Sequence, residues 1–132
     1  MTTEETIRAA VAAYGAQDLE RVSALVADDV CYRINAHRET GPYHADCQSR
    51  DAFFAAVGTI LEDWDVQRYA LGDLIVAGDR GAAQIDIEMA SRHRDFVFRG
   101  RLALFMRVTD GQLSEIVEYH DTAAAGLSRA AA

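Results

Sequence analysis

Two acidic segments and one histidine carry the residue types that acid–base chemistry needs. Gln84-Ile85-Asp86-Ile87-Glu88-Met89 alternates polar and apolar residues, the two-residue period of a strand with unlike faces. Further on, Glu118-Tyr119-His120-Asp121 sets Glu118 and His120 two residues apart, and so on one face of a strand. Carboxylates gathered in an apolar enclosure resist ionising together, which leaves an acid beside a base at neutral pH. A histidine on the same face can orient a carboxylate or shuttle its proton. The alternation has a plainer reading too. In it Ile85, Ile87 and Met89 are the buried row, with Asp86 and Glu88 in water, and a shift of one residue exchanges the two faces.

Other chemistries find less support. Asp86, Glu88, Glu118 and His120 include potential divalent-metal ligands, but no second histidine stands at helical or strand spacing, and no metal is expected. No Ser/His/Asp or Cys/His nucleophile set can be assembled. Gly78-x-x-Gly81 reads as a turn, not a phosphate loop. His37, Tyr43 and His44 sit in a proline-containing segment without period, Asn35 to Gln48, which is either a loop over the mouth of a pocket or ordinary surface. Asp121 closes its strand, where a backbone cap or an arginine partner is the expected role.

The elements that must position these residues follow from pattern. Thr2-x-x-Glu5 fits a capping box, and Ile7, Ala10, Val11 and Tyr14 follow at helical spacing up to a left-handed stop at Gly15. Asp18 can cap a short second helix with Leu19, Val22, Leu25 and Val26 inward. Asp28-Asp29 breaks the chain before a strand, Val30 to Ile34. Ser49 caps a third helix to about Glu62, with Phe53, Val57, Ile60 and Leu61 inward. Four strands remain: Val66 to Ala77, with a bulge expected at Gly72; the alternating Gln84–Met89 stretch; Arg101 to Val108; and Leu113 to Asp121. The last two are joined by Asp110-Gly111, a strong hairpin signal. The tail AAAGLSRAAA reads as a fraying helix or as nothing. Helices gathered on one face of a curled antiparallel sheet make a single α+β domain over 1–132, a cone with a pocket at its open end.

Bulk composition narrows the function classes. The chain has 132 residues, half of them apolar, enough for one core without disulfides. Its net charge is −8 and all thirteen basic residues are scattered arginines, which argues against nucleic acid and anionic membranes as partners. No run approaches the ~18 apolar residues of a membrane span, and MTTEETIRAA lacks a secretory layout. Cys31 and Cys47 have no metal or redox spacing and read as reduced thiols. A soluble cytoplasmic protein is expected.

Asp18-Leu19, Ala27-Asp28-Asp29-Val30, Ser49-Arg50-Asp51-Ala52, Asp110-Gly111-Gln112-Leu113 and Glu118-Tyr119-His120-Asp121 together resemble the nuclear transport factor 2-like (cystatin-like) superfamily, in its SnoaL-like branch. That branch includes polyketide cyclases, limonene epoxide hydrolase and ketosteroid isomerase. The resemblance implies a cone-shaped curved antiparallel sheet packed on three N-terminal helices. It does not imply one chemistry. Where ketosteroid isomerase has its tyrosine and two aspartates, this chain holds Ala10, Ile34 and Leu104, so that catalytic pattern is missing. Aligned with the epoxide hydrolase, Tyr32, Asp86 and Glu118 fall on its tyrosine, its proton-donating aspartate and its water-activating aspartate. Ile34 and Gln84 replace its asparagine and bridging arginine.

On that alignment one sheet face carries Asp86, Glu88, Leu102, Ile116, Glu118 and His120, with Asp86 and Glu118 roughly 10 Å apart across a middle strand. The resemblance then implies Asp86 as general acid and Glu118 as general base, with Tyr32 and His120 orienting. Val11, Tyr14, Ile34, Ile60, Trp64, Gln84, Glu88, Leu102 and Ile116 would surround a small hydrophobic molecule. The expected protein is a cofactor-free isomerase, cyclase, dehydratase or hydrolase, homodimeric through its outer sheet face. The alternative is a non-catalytic ligand-binding or dimerisation module, and a protein-interaction role is a third.

Overall fold

The structure, a computed structural model, describes residues 1–39 and 41–129. Thr40, in the aperiodic segment, and the end of the tail at 130–132 lie outside the described residues.

Three longer helices ahead of the last four strands, a short C-terminal one and a six-stranded curved, unclosed sheet make the mixed α+β architecture expected. Helix α1 spans Thr3–Gly15 and its capping box is complete: the Thr2 hydroxyl accepts from the Glu5 amide at 3.1 Å, and the Glu5 carboxylate accepts from the Thr2 amide at 3.1 Å. Its buried stripe is Thr6, Ile7, Ala10, Val11 and Ala13. The left-handed residue after it is Gln17 (φ 54°), not Gly15. Gly15 is required for another reason. A Cβ there would stand 2.5 Å from the Tyr69 carbonyl oxygen, so the helix end can approach the sheet only without a side chain.

Helix α2 is Leu19–Leu25, capped by Asp18, and α3 is Arg50–Leu61, capped by Ser49. The strands are β1 (Val26–Ile34), β2 (Ala45–Cys47), β3 (Trp64–Ala77), β4 (Arg80–Ser91), β5 (Val97–Thr109) and β6 (Gln112–Tyr119). They lie in the order β2-β1-β6-β5-β4-β3, with β1 parallel to β6 and every other pair antiparallel. Asp110 and Gly111 both take positive φ at the β5–β6 turn, as their types predict. The β3–β4 register slips between Leu71 and Leu74, around Gly72.

Further expectations are corrected. Asp28-Asp29 does not break the chain: β1 runs through both, exposes them, and slips register against β6 between Val26 and Cys31. The aperiodic segment contains β2, which pairs with β1 through Tyr32–Cys47 and its neighbours. The tail also has more structure than a fraying end. It forms α4 (Thr122–Ala125) and a 3₁₀ turn (Gly126–Ser128), with Asp121 accepting from the Ala124 amide at 3.0 Å, the capping role expected of it.

The pleat decides what faces the helices. Paired residues share a face, and the registers Ile85–Leu102, Ala83–Leu104 and Met106–Ile116 put all of these in the core. Ile85 is fully buried. Asp86 and Glu88 therefore point the other way. Among the described residues no helix is long and apolar enough to cross a membrane.

Candidate active site between sheet and helices

Helices α1, α2 and α3 and the concave side of the sheet line a cavity of about 130 Å³. Its walls are almost wholly apolar: Val11 from α1, Val57 and Ile60 from α3, Trp64 from β3, and Leu102 and Ile116 from β5 and β6. Residues with polar side-chain groups are few in its lining: Tyr14, Tyr32, Tyr43, Tyr69, Glu118, His120 and Asp121. Such a lining suits a compact hydrophobic ligand held in one orientation by a few polar contacts.

Glu118 sits near the end of β6, a strand hydrogen-bonded on both sides, opposite Ile34 of β1 and Leu104 of β5. Its carboxylate is close to fully engaged. Oε1 accepts from the Tyr32 hydroxyl at 3.2 Å, and Oε2 lies 2.9 Å from His120 Nδ1. Both side chains of the second pair are nearly enclosed, with 10% of His120 and 12% of Glu118 exposed. An ionised carboxylate can only accept, so the ring donates to it from Nδ1, and the neutral tautomer that does so holds its lone pair on Nε2. That Nε2 is the one buried side-chain nitrogen or oxygen among the described residues without a hydrogen-bond partner. Leaving such an atom bare costs about 1–3 kcal/mol, which a ligand with a donor would recover.

Three tyrosines surround this pair. Tyr14 and Tyr69 meet edge to face with ring centres 4.6 Å apart, and Tyr32 packs on Phe53. Burial first, and then the negative charge of Glu118, push the phenols of Tyr14, Tyr32 and Tyr69 well above their ordinary range. All three remain hydrogen-bond donors at neutral pH. The Tyr32 hydrogen is spent on Glu118, while the Tyr14 and Tyr69 hydroxyls have no hydrogen-bond partner among the described residues.

The expected site divides in two. Tyr32, Glu118 and His120 come together, and Val11, Tyr14, Ile60, Trp64, Leu102 and Ile116 line the cavity around them. Asp86, Glu88 and Gln84 do not join them, which corrects the face assigned to all three. Asp86 and Glu88 stand on the convex side of the sheet, ion-paired with Arg101 at 2.8 Å and Arg99 at 3.6 Å. Gln84 is exposed there, beside a shallow hollow that also borders Arg101 and His120. The reason is register: Asp86 pairs with Arg101 while its neighbour Ile85 pairs with Leu102, and only the second pair faces inward. Ile34 is buried in β1 but does not line the cavity.

Tyr69, Tyr43, Phe53 and Met89 also line the cavity, though none stood among the expected ligand contacts: Phe53 was expected inward on its helix, and Tyr43 in a loop over the mouth or at the surface. The irregular register of β3 hides which way Tyr69 faces, and Tyr43 belongs to the segment without period. Among the described residues no group of three or more His, Cys, Asp or Glu gathers as metal ligands would.

Comparison with known proteins places this architecture. The family model described as "SnoaL-like domain" matches residues 7–116. An NTF2-like protein from Burkholderia thailandensis E264 superposes with a TM-score of 0.85 at 21% identity, covering 99% of each chain. TerC, crystallised with polyporic acid, gives 0.81 at 17% identity over 92% of this chain and 93% of its own. A ketosteroid isomerase-like fold from Catenulispora acidiphila DSM 44928, in complex with trimethylamine, gives 0.75 at 16% identity over 89% and 85%. No curated protein matches the chain. At these identities the structural likeness establishes the fold and nothing finer.

Proposed function

Because the chain belongs to the SnoaL-like domain family, a fold used for small molecules, we propose that it is a cofactor-free acid–base enzyme acting on a compact hydrophobic carbonyl compound. The observation that carries this reading is the state of one atom. Both oxygens of Glu118 are engaged, whereas His120 Nε2 is buried and unpartnered beside an apolar cavity. The base is then His120, and Glu118 is the group that fixes its tautomer and balances the imidazolium as it forms. This reverses the roles that the resemblance implied for these two residues, and it leaves Asp86 without one.

The proton inventory closes. A C–H next to the ligand's carbonyl gives its proton to Nε2, the Nδ1 proton stays on the Glu118 hydrogen bond, and the C–H electron pair moves through the carbonyl onto its oxygen. Tyr14 and Tyr69 supply donors for that oxygen, in a dry setting where such bonds are strong. The imidazolium then returns the proton at a second position of the ligand. Isomerisation, cyclisation and dehydration all begin with this step.

Pairing of two copies belongs to the same proposal. On the convex face Ile75, Ala82, Phe105 and Val117 form one row across β3, β4, β5 and β6. Ile75 and Phe105 are among the most exposed large apolar side chains, and Phe105 packs edge to face on Tyr119. On one side of this row, beyond Gln84, Ala103 and Tyr119, stand the Asp86–Arg101 and Glu88–Arg99 pairs, and on the other side stands Arg107, paired with Asp79. An apolar strip edged by charges of both signs suits a second copy of itself.

The test needs no knowledge of the final product. Small enolisable ketones (cyclohexanone, tetralone, acetophenone) are incubated with the protein in deuterium oxide, and loss of their α-proton signals is followed by NMR. Exchange should be catalysed, and His120→Asn should slow it by roughly a hundredfold or more. If the ketones bind with no exchange above buffer, or if His120→Asn matches the parent, the catalytic reading fails and a ligand-binding module replaces it.

A further inference from the structure

One buried carboxylate lies outside the chemistry just described. Asp63, between α3 and β3, is only 6% exposed, and its side chain is reached from three separate parts of the chain. The Tyr43 hydroxyl donates to Oδ2 at 2.7 Å, His93 Nε2 lies 2.8 Å from Oδ1, and Arg129 Nε donates to Oδ1 as well. Its backbone carbonyl accepts from the Ser128 hydroxyl at 2.6 Å and from the Arg92 amide at 2.8 Å. Burial alone would raise its carboxyl pKa. The hydrogen bonds from Tyr43, Arg129 and His93 outweigh that and hold it below the usual aspartate range.

The partners matter because of where their segments lie. Almost every residue lining the cavity belongs to α1, α2, α3 or a long strand. The exceptions are Tyr43, from the stretch leading into β2, and Asp121 and Ala125, which with His120 follow β6. These are the two parts of the wall outside the long-element frame, and they lie side by side: the backbone of Gly41 comes near enough to Thr122 that an added Cβ would stand 3.4 Å from the Thr122 Cβ. Each is tied to Asp63, the first through Tyr43 and the second through Ser128 and Arg129. Ser91, which bonds Ser128 at 2.7 Å, is a further tie of the C-terminal segment.

We propose that Asp63 is a latch that fastens the Tyr43 stretch and the C-terminal segment to each other and to the frame, so that the cavity opens to its ligand when this carboxylate lets go. The inference rests on the cavity and its wall, not on the chemistry assigned to His120. Its essential content is coupling. Two segments that are far apart in sequence share one acceptor, so loosening either should loosen the other. Neither Tyr43 nor Arg129 would do this if it merely stabilised its own stretch.

The experiment is hydrogen exchange by mass spectrometry on the whole chain, with acrylamide quenching of Trp64, the single tryptophan and a cavity-wall residue. Asp63→Asn should raise exchange in 41–47 and 121–129 together and leave the α1 and β5 peptides unchanged. A lost charge-assisted hydrogen bond corresponds to roughly tenfold in the opening equilibrium. Trp64 should become more quenchable in the same variant. Two milder substitutions keep the test open if Asp63→Asn does not fold. Tyr43→Phe should raise exchange in 121–129, and Arg129→Gln should raise it in 41–47. If each of these affects only its own segment, or if Asp63→Asn leaves Trp64 quenching at the parent value, the latch is refuted. Loss of ketone exchange in His120→Asn has no bearing on that outcome.

Discussion

Replacing Glu118 by glutamine tests how the cavity uses its carboxylate. The substitution keeps size and most hydrogen bonding. The amide oxygen can still accept from His120 Nδ1, now 2.9 Å from Oε2, and the amide nitrogen can donate to the Tyr32 oxygen, now 3.2 Å from Oε1. No charge is left buried without a partner, so the fold should lose little, about 1 kcal/mol or less. What disappears is the negative charge beside the imidazolium that forms when Nε2 takes a proton. Two unit charges about 4 Å apart at an effective dielectric near 20 attract by about 4 kcal/mol. Only part of that develops in a transition state, so about 2–4 kcal/mol of barrier is at stake. The loss in kcat/KM is then roughly 30- to 1000-fold.

The assay is the exchange of ketone α-protons in deuterium oxide, read as kcat/KM, with thermal melting of each variant beside it. The order of damage is decisive. With His120 as base, His120→Asn removes the accepting lone pair and is the worse variant, while Glu118→Gln keeps a weakened base. With Glu118 as base the order inverts, since an amide cannot take the proton. Glu118→Gln at background with His120→Asn still active would refute the assignment.

Other consequences are as open to measurement. Gly15→Ala should destabilise the protein by about 1–3 kcal/mol in urea unfolding, since the new methyl meets the Tyr69 carbonyl and must push α1 off β3; an unchanged midpoint would show that the helix end is free to shift. Alkaline pH should unfold the chain steeply. Burial, and then the charge of Glu118, raise the folded-state phenols of Tyr14, Tyr32 and Tyr69 above their ordinary value of 10.0. Their contribution is complete below that pH and is lost as pH rises through the folded values, at about 1.4 kcal/mol per pH unit for each tyrosine. Native-state ultraviolet titration with all tyrosines ionising near pH 10 would contradict this. Phe105→Asp, in the middle of the convex apolar row, should yield monomers in sedimentation, whereas a parent chain that sediments as a monomer would remove the pairing proposal.

The fold was legible because its signals are local. A capping box, an Asp-Gly turn and period-two runs each act within a few residues, and the structure places α1, α3 and the β5–β6 hairpin where those signals stand. The site was legible only in part, because it depends on which way each strand faces. Glu118 and His120 share the inward row, but the face of β4 was misjudged. The sequence held a clue to that face. Asp86 and Glu88 stand two apart in one strand, Arg99 and Arg101 two apart in the next, and their register pairs each acid with an arginine. Opposite charges facing across a hairpin mark a solvated row. The match holds only for one hairpin length, and the turn between Ser91 and Val97 carries no Asn-Gly or Asp-Gly signal to fix it. Asp63 was opaque for a different reason. Its partners lie 20, 30 and 66 residues away, at spacings no local pattern reports.

On the proposed reading the molecule divides into a part that holds geometry and a part that would admit the ligand. Glu118 and Tyr32 stand on adjacent strands, and the Asn35 amide donates to the Glu118 carbonyl at 2.8 Å, so the carboxylate is fixed by the sheet itself. His120 follows one residue after β6 ends, and Asp121, which caps the C-terminal segment, follows it directly. The proposed base therefore sits on the boundary: its Nδ1 is bound to the fixed strand and its backbone runs into the wall that Asp63 latches. A ligand could enter when that wall loosens without disturbing Glu118, and closure would return the ring to its carboxylate while excluding water from Nε2. On this arrangement a latch variant should change KM and ligand association before it changes the intrinsic rate of proton transfer.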